Sequence, residues 1–455
     1  MIMKHKFNRK QIKEVGKIIL INLLLLGFFV ELGSLGFYLV RHNQLFYTRQ
    51  RPSSIEEMGL NLEGMRMEIS IVERLHPYFG YAPKPGPDFR PGFKYNNYGF
   101  ISPYNYPFVK TNENQFIVGV FGGSVASNYS IYEIQNGILE TKIREVPGLE
   151  NKELIILSFA TGGYKQPQQL LILNYLLSVG QVFDMVINID GFNELALSSV
   201  NNEKKLELTM PSASHIQPLT NLANNSLSTQ ALESLLKIKQ AKPRINQVAS
   251  NLKNCWMASC YTINNLAIQG LIKDYYQEVE RFQRYQQIPD NDGGEGSVFL
   301  FYTQDSVLPE EKALAKITDT WVTTSTVINH ILSAKNIPYF HILQPNQYHV
   351  TNRVFSSEEK AIAFTDNTPY RQPIVAGYPL LLNRIADLEA AGVTIFNGVN
   401  IFDAAPEMMY IDNCCHYTPA GEHILSSYVA ESIKNILNQR LNPPNLNLAN
   451  EPLTD

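Results

Sequence analysis

The stretch "FIVGVFGGSVASNYS", Phe116 to Ser130, ends an apolar run in two glycines and a serine. A serine hydroxyl becomes a nucleophile when an imidazole takes its proton and an acceptor holds the imidazole's other nitrogen. An imidazole of that kind stands far downstream: His416 in "YIDNCCHYTPAGEH", with Asp412 four residues before it and Asn413 three before it. A tetrahedral intermediate also needs hydrogen-bond donors aimed at its oxyanion. The backbone N–H groups of Ser124 and of Gly163 in "ATGGY", and the side-chain amide of Asn193 in "GFNE", are suitable donors. Gln344 and Asn346 in "QPNQY" add a polar pair that either contacts substrate or organises a proline turn. Together these residues spell acyl transfer through a serine ester. Each one alone is ordinary, because Gly-Gly is common turn punctuation and a lone loop histidine has no fixed meaning.

Their placement along the chain makes the case. Apolar, β-branched runs at 115–122, 153–160, 184–190, 337–343 and 394–399 alternate with helical stretches, which predicts a parallel five-stranded sheet covered by helices. In open α/β sheets, ligands bind outside the carboxyl ends of the strands. Ser124, Gly163, Asn193 and Gln344 each follow the end of one run, and His416 lies beyond the fifth. Thr418 and Pro419 read as the N-cap and first residue of the helix after it.

About 150 residues separate the third and fourth runs, far more than a crossover needs, so an insertion at about 200–312 is expected. Its polar opening, residues 198–226, reads as a loop. Helical stretches follow near 228–251 and 268–287. Tyr275, Tyr276, Val279, Phe282 and Tyr285 form an aromatic stripe that reads as core packing. "PDNDGGEGS" reads as a flexible loop, residues 310–335 as a helix returning to the sheet, and 441–455 as a disordered tail.

The N-terminus is of another character. Ile18 to Val40 is apolar apart from Asn22, Glu31 and Ser34, and its about 23 residues span a bilayer core at about 1.5 Å each. Lys4, Lys6, Arg9, Lys10, Lys13 and Lys17 precede it, against Arg41, Arg49 and Arg51 after it. That asymmetry keeps residues 1–17 cytoplasmic and places the body outside, in the periplasm, behind an uncleaved signal anchor; a cleaved signal peptide with its apolar core at Ile18 to Val30 is the competing reading, which the lack of a small-x-small cleavage site disfavours. Glu31 must be protonated or paired to sit there. Residues 41–114, rich in Pro, Gly and Tyr, read as a juxtamembrane segment of turns and short strands. A net charge of −4 gives no basic face for nucleic acid. The four cysteines lack metal-site spacing, so no metal is expected; Cys255 and Cys260 are able to close a small disulfide loop. Cys415, next to His416, reads as packing.

The order of these blocks resembles the SGNH (GDSL-type) hydrolases, in particular membrane-anchored bacterial members. Ser124 in "FGGS" resembles the family's nucleophile block, with Gly123 where the family carries aspartate. Gly163 and Asn193 resemble its oxyanion blocks, and His416 its last block. The flanks "HPYFGY", "NNYGF" and "LQPNQY" match the anchored members. The resemblance spans about residues 76–436, outside the insertion. It implies a three-layer α/β/α sandwich with a flavodoxin-like sheet, the insertion forming a helical cap, with no cofactor. It also implies a serine esterase acting on an O-acyl, often O-acetyl, group of a carbohydrate or lipid. The same site on an O-acyltransferase, and a non-catalytic envelope protein on the same scaffold, are the alternatives. The family's acid lies three residues before the histidine, where this chain has Asn413. Charge favours Asp412 as the partner of His416; spacing favours Asn413.

Overall fold

A computed structural model describes residues 9–49, 72–86, 88–220, 228–285, 300–365 and 368–441. Residues 442–455 of the expected tail, the loop "PDNDGGEGS" and residues 50–71 lie outside the described residues, while Leu441 ends the last helix. The chain forms two compact units, one made of Met1–Met67 and Ser226–Pro289, the other of Glu68–Asn225 and Asp290–Asp455.

The larger unit is built on five parallel strands: β1 (Gln115–Gly122), β2 (Glu153–Ala160), β3 (Met185–Asp190), β4 (Tyr339–Leu343) and β5 (Thr394–Asn397). They differ from the sequence expectation only by one or two residues at the ends of β3, β4 and β5. Their order across the sheet is β2-β1-β3-β4-β5, and every neighbouring pair is parallel. This is the flavodoxin-like order, whose direction reverses between β1 and β3 and leaves a crevice there. The register brings the strand ends into line: Gly122 pairs with Ala160 and Ile189, while Leu343 pairs with Asp190 and Asn397. Whatever follows each strand therefore emerges along one edge.

Helices cover both faces and bury the strands, so β1, β2 and β3 carry almost continuous apolar side chains. Ser124–Asn136, Ile138–Ile143 and Pro419–Leu441 pack together on one side. Gln168–Ser178, Phe192–Glu203, Glu310–Ser333, Arg371–Asn383 and Ile385–Ala390 form the other layer. Ile317, Trp321 and Ile328 lie buried at helical spacing along the inner side of Glu310–Ser333, while Ile331 is only half-buried. Ahead of β1, a hairpin (Glu73–His76 with Gly80–Pro83) and a small three-stranded antiparallel sheet occupy residues 73–102.

One expectation fails here. The polar stretch 198–226 is not simply a loop, since Phe192–Glu203 continues into it and Ala213–Thr220 is a second helix. Ala213 and Ile216 are fully buried, and Asn201 holds the Ala213 N–H through its side-chain oxygen. Tertiary packing overrides a weak local pattern.

The smaller unit contains the helix Arg9–His42, of which Lys13–His42 is long and apolar enough to cross a membrane. It also contains the helices Thr229–Asn254 and Ala258–Tyr285, which pack side by side. Tyr275 and Phe282, seven residues apart, are buried between them, whereas Tyr276 of the expected stripe is exposed. Cys255 and Cys260 form the disulfide that closes the turn between the two helices. The second helix starts ten residues earlier than its sequence pattern suggests, and Glu31 explains why. Its carboxylate accepts the backbone N–H groups of Ala258 and Ser259 at 2.8 and 2.9 Å, together with the Tyr47 hydroxyl at 2.8 Å. First-turn N–H groups have no partner inside their helix, so a carboxylate placed there favours that turn. Nearby, the Arg49 guanidinium lies over the rings of Phe46 and Tyr261 and donates to the Cys255 carbonyl. Glu31 is a paired residue.

Candidate active site

β1 ends in the Gly-Gly-Ser stretch for two steric reasons. Gly122 has φ +139°, and a Cβ there would stand 2.2 Å from the Ile189 carbonyl oxygen of β3. A Cβ on Gly123 would stand 2.1 Å from the side-chain nitrogen of Asn193. Two residues without side chains let β1 turn directly against β3 and bring Asn193 beside the serine. A side chain at position 123, where the resemblance expects aspartate, would displace the Asn193 amide from this arrangement. Ser124 then opens the helix Ser124–Asn136, so its N–H lies in a first turn whose donors lack intrahelical partners.

The imidazole of His416 reaches that serine across 292 positions of chain: Nε2 lies 2.7 Å from Ser124 Oγ. Its Nδ1 bonds the carboxylate of Asp412. Ile411 N–H to His416 O and Thr418 N–H to Met409 O close the intervening residues into a tight turn. Within it, Asp412 Oδ1 accepts the N–H groups of Cys414, Cys415 and His416 at 2.9, 3.0 and 3.3 Å. The chain wraps around the carboxylate, and this bulge absorbs the extra residue between acid and base. Burial works against the Asp412 charge, yet the His416 bond and charge and the backbone N–H groups outweigh it, holding the carboxyl at about 2. Asn413 is exposed and enters through its backbone, whose carbonyl accepts the Tyr348 hydroxyl at 2.9 Å. Thr418 Oγ1 caps the following helix at Gly421 N–H.

Asn193 is set by the start of its own helix. Glu194 reaches back to accept the N–H of Gly191 at 2.8 Å, and that of Gln166 at 2.9 Å. Burial first, and the Asp190 charge second, push the Glu194 carboxyl up to about 8. Asn193 Nδ2 donates one hydrogen to the Tyr164 carbonyl at 2.8 Å, so its second amide hydrogen remains for another acceptor. Gly163 precedes Tyr164 and has φ +77°. Asn193→Ala is expected to lower kcat by about 10²–10³ with little change in KM, which steady-state kinetics on an aryl acetate will measure. A raised KM at constant kcat would instead make it a binding residue.

Gln344 and Asn346 follow β4, and both are buried. Asn346 Nδ2 donates to the Cys414 carbonyl at 3.0 Å and its Oδ1 accepts Tyr348 N–H, contacts that brace the histidine loop. Gln344 bonds through its backbone to Asp190 and Tyr378, and its side-chain nitrogen is buried without a partner among the described residues.

A buried ion pair braces the same loop from below. Arg353 binds Glu359 at 2.6 Å and donates to the carbonyls of Phe402, Ala405 and Glu407. Glu359 accepts the N–H groups of Met409 and Tyr410.

His215 was not legible from sequence. Its Nδ1 lies 3.1 Å from Glu73, its ring stacks on Tyr81, and its Nε2 side fills the space over Gly163. Tyr81 in turn donates to the Gly162 carbonyl. His215 sits in the stretch read as a loop, and Glu73 and Tyr81, its bonding and stacking partners, are more than 130 residues away, so no local pattern marks it.

No family model matches this sequence, and no curated protein matches it either. Among solved structures, it is similar to a GDSL-like lipase from Bacteroides thetaiotaomicron, at 8% identity and a TM-score of 0.32, over 72% of this chain and 91% of that one.

Proposed function

We propose that this chain is a serine esterase of the SGNH type. The observation that carries the reading is the continuous chain Asp412–His416–Ser124, ending 2.7 Å from the hydroxyl at the crevice between β1 and β3. His416 Nε2 takes the Ser124 proton as Oγ attacks an ester carbonyl, and Asp412 steadies the imidazolium that forms. The oxyanion is held by the N–H groups of Ser124 and Gly163 and the free amide hydrogen of Asn193. As the tetrahedral species collapses, the bond to the alcohol oxygen breaks and His416 gives that oxygen its proton. Water, deprotonated by His416, then attacks the acyl-serine and releases the carboxylic acid. The substrate is an O-acyl group, O-acetyl in the simplest case, on an envelope carbohydrate or lipid. The catalytic region spans residues 115–440. The helix over 18–40 anchors it, with residues 1–17 cytoplasmic and the remainder periplasmic.

The test is to treat full-length protein in detergent with a fluorophosphonate and map the modified peptide. A single adduct on Ser124, formed in step with loss of aryl-acetate hydrolysis, is the expected outcome. Hydrolysis that continues with Ser124 fully labelled would refute the assignment.

A further inference from the structure

The histidine turn holds two thiols that the proposed reaction does not use. Cys414 Sγ and Cys415 Sγ lie 3.0 Å apart, against about 2.05 Å for a disulfide bond, so bonding them needs only about 1 Å of approach. Both sulfurs and a His416 ring nitrogen fall within 4.8 Å of one another. Cys414 is half-buried and Cys415 buried. We propose that Cys414 and Cys415 form a reversible vicinal disulfide that switches the Ser124–His416–Asp412 site off; its consequence for activity rests on the reading above.

The reason lies in the backbone. Adjacent Cα atoms stand about 3.8 Å apart, whereas an unstrained disulfide spans about 4.4–6.8 Å. Closing the bond between neighbours therefore twists the peptide joining them. That peptide supplies the Cys415 N–H that binds Asp412 Oδ1, with the Cys414 and His416 N–H groups on either side. Distorting it loosens the carboxylate and moves the imidazole it orients. The same strain makes the bond easy to reduce, the property of labile, regulatory disulfides as opposed to structural ones.

The exchange is balanced by a small-molecule disulfide such as oxidised glutathione. The Cys414 thiolate attacks one of its sulfurs, breaking that S–S bond and releasing one thiolate. The Cys415 thiolate then attacks the Cys414 sulfur and expels the second. The two cysteines lose two protons and two electrons, and the oxidant becomes two thiols. Burial, and then Cys414 beside it, push the Cys415 thiol well up, so the more accessible Cys414 meets the oxidant first.

The experiment incubates full-length protein with oxidised glutathione and quenches with acid. It then maps the peptide carrying residues 414–415 by mass while following aryl-acetate hydrolysis. The peptide should lose two hydrogens and the rate should fall by at least about tenfold, both reversed by dithiothreitol. In Cys414→Ser the ratio of oxidised to reduced rate should stay near one, whatever its absolute rate. A peptide that keeps both thiols, or stops at the glutathione adduct, overturns the proposal. A vicinal bond that leaves the rate unchanged overturns the switch. If Ser124→Ala hydrolyses as fast as the reduced wild type, the catalytic reading has failed instead, and the mass still decides the bond.

Discussion

Ser124→Ala is expected to cost about 10⁴–10⁶ in kcat on an aryl acetate, His416→Ala about the same, and the double variant no more than either single one. In the proposed mechanism the two groups act as one unit: without the imidazole the hydroxyl keeps its proton, and without the hydroxyl the imidazole has no nucleophile to serve. The 2.7 Å contact between them makes that coupling direct. Alanine at 124 removes only an oxygen from a half-buried helix start, so the protein should melt within a few degrees of wild type. Binding energy and the oxyanion donors remain in each variant and leave a residual rate above background. Initial-rate measurements with a melting curve for each variant check this. Losses that multiply in the double variant would show that the residues act separately.

The second large effect concerns the acid. Asp412→Ala should lower kcat by about 10⁴, while Asn413→Ala stays within about threefold of wild type. Asp412 lies on His416 Nδ1 and takes three backbone N–H groups; Asn413 faces solvent. Asp412→Asn keeps the shape but removes the charge that stabilises the imidazolium, and should be nearly as damaging. The sign of the pH effect follows from the depressed carboxyl. Its stabilisation is complete above the unfolded value of about 3.8 and is lost as pH falls through about 2, so wild type should gain on Asp412→Asn between those limits and hold a constant advantage above them. Melting temperatures of the two proteins from pH 2 to 7 test that window. Comparable rates for Asp412→Ala and wild type would return the role to Asn413.

The strand runs were legible because they are apolar on both faces and end in turn residues, a signal contained within eight residues or fewer. The Gly-Gly-Ser stretch was legible as a turn, but its cause was not. Gly122 is required by a carbonyl of β3, and Gly123 leaves space for an amide 70 positions later. The helix starting at Ala258 was placed too late because its first turn is organised by Glu31, 227 residues upstream. Ala213–Thr220 was missed because only two of its residues are deeply apolar and its packing comes from elsewhere.

By itself the sequence determined the class of fold, the position of each strand to within one or two residues and the apolar N-terminal helix. All of these are carried by composition and short-range period, which act within a turn or a strand. Tertiary structure decided which of the candidate site residues meet. The choice between Asp412 and Asn413 depended on whether residues 411–416 run extended or wrap around a carboxylate, and the contacts Ile411–His416 and Met409–Thr418 close that turn. Asn346 turns to the Cys414 carbonyl, and His215 joins Glu73 over Gly163, through distances that no spacing encodes. Hydrogen bonds reach about 3 Å, so groups far apart in the chain find one another only when the sheet aligns its strand ends.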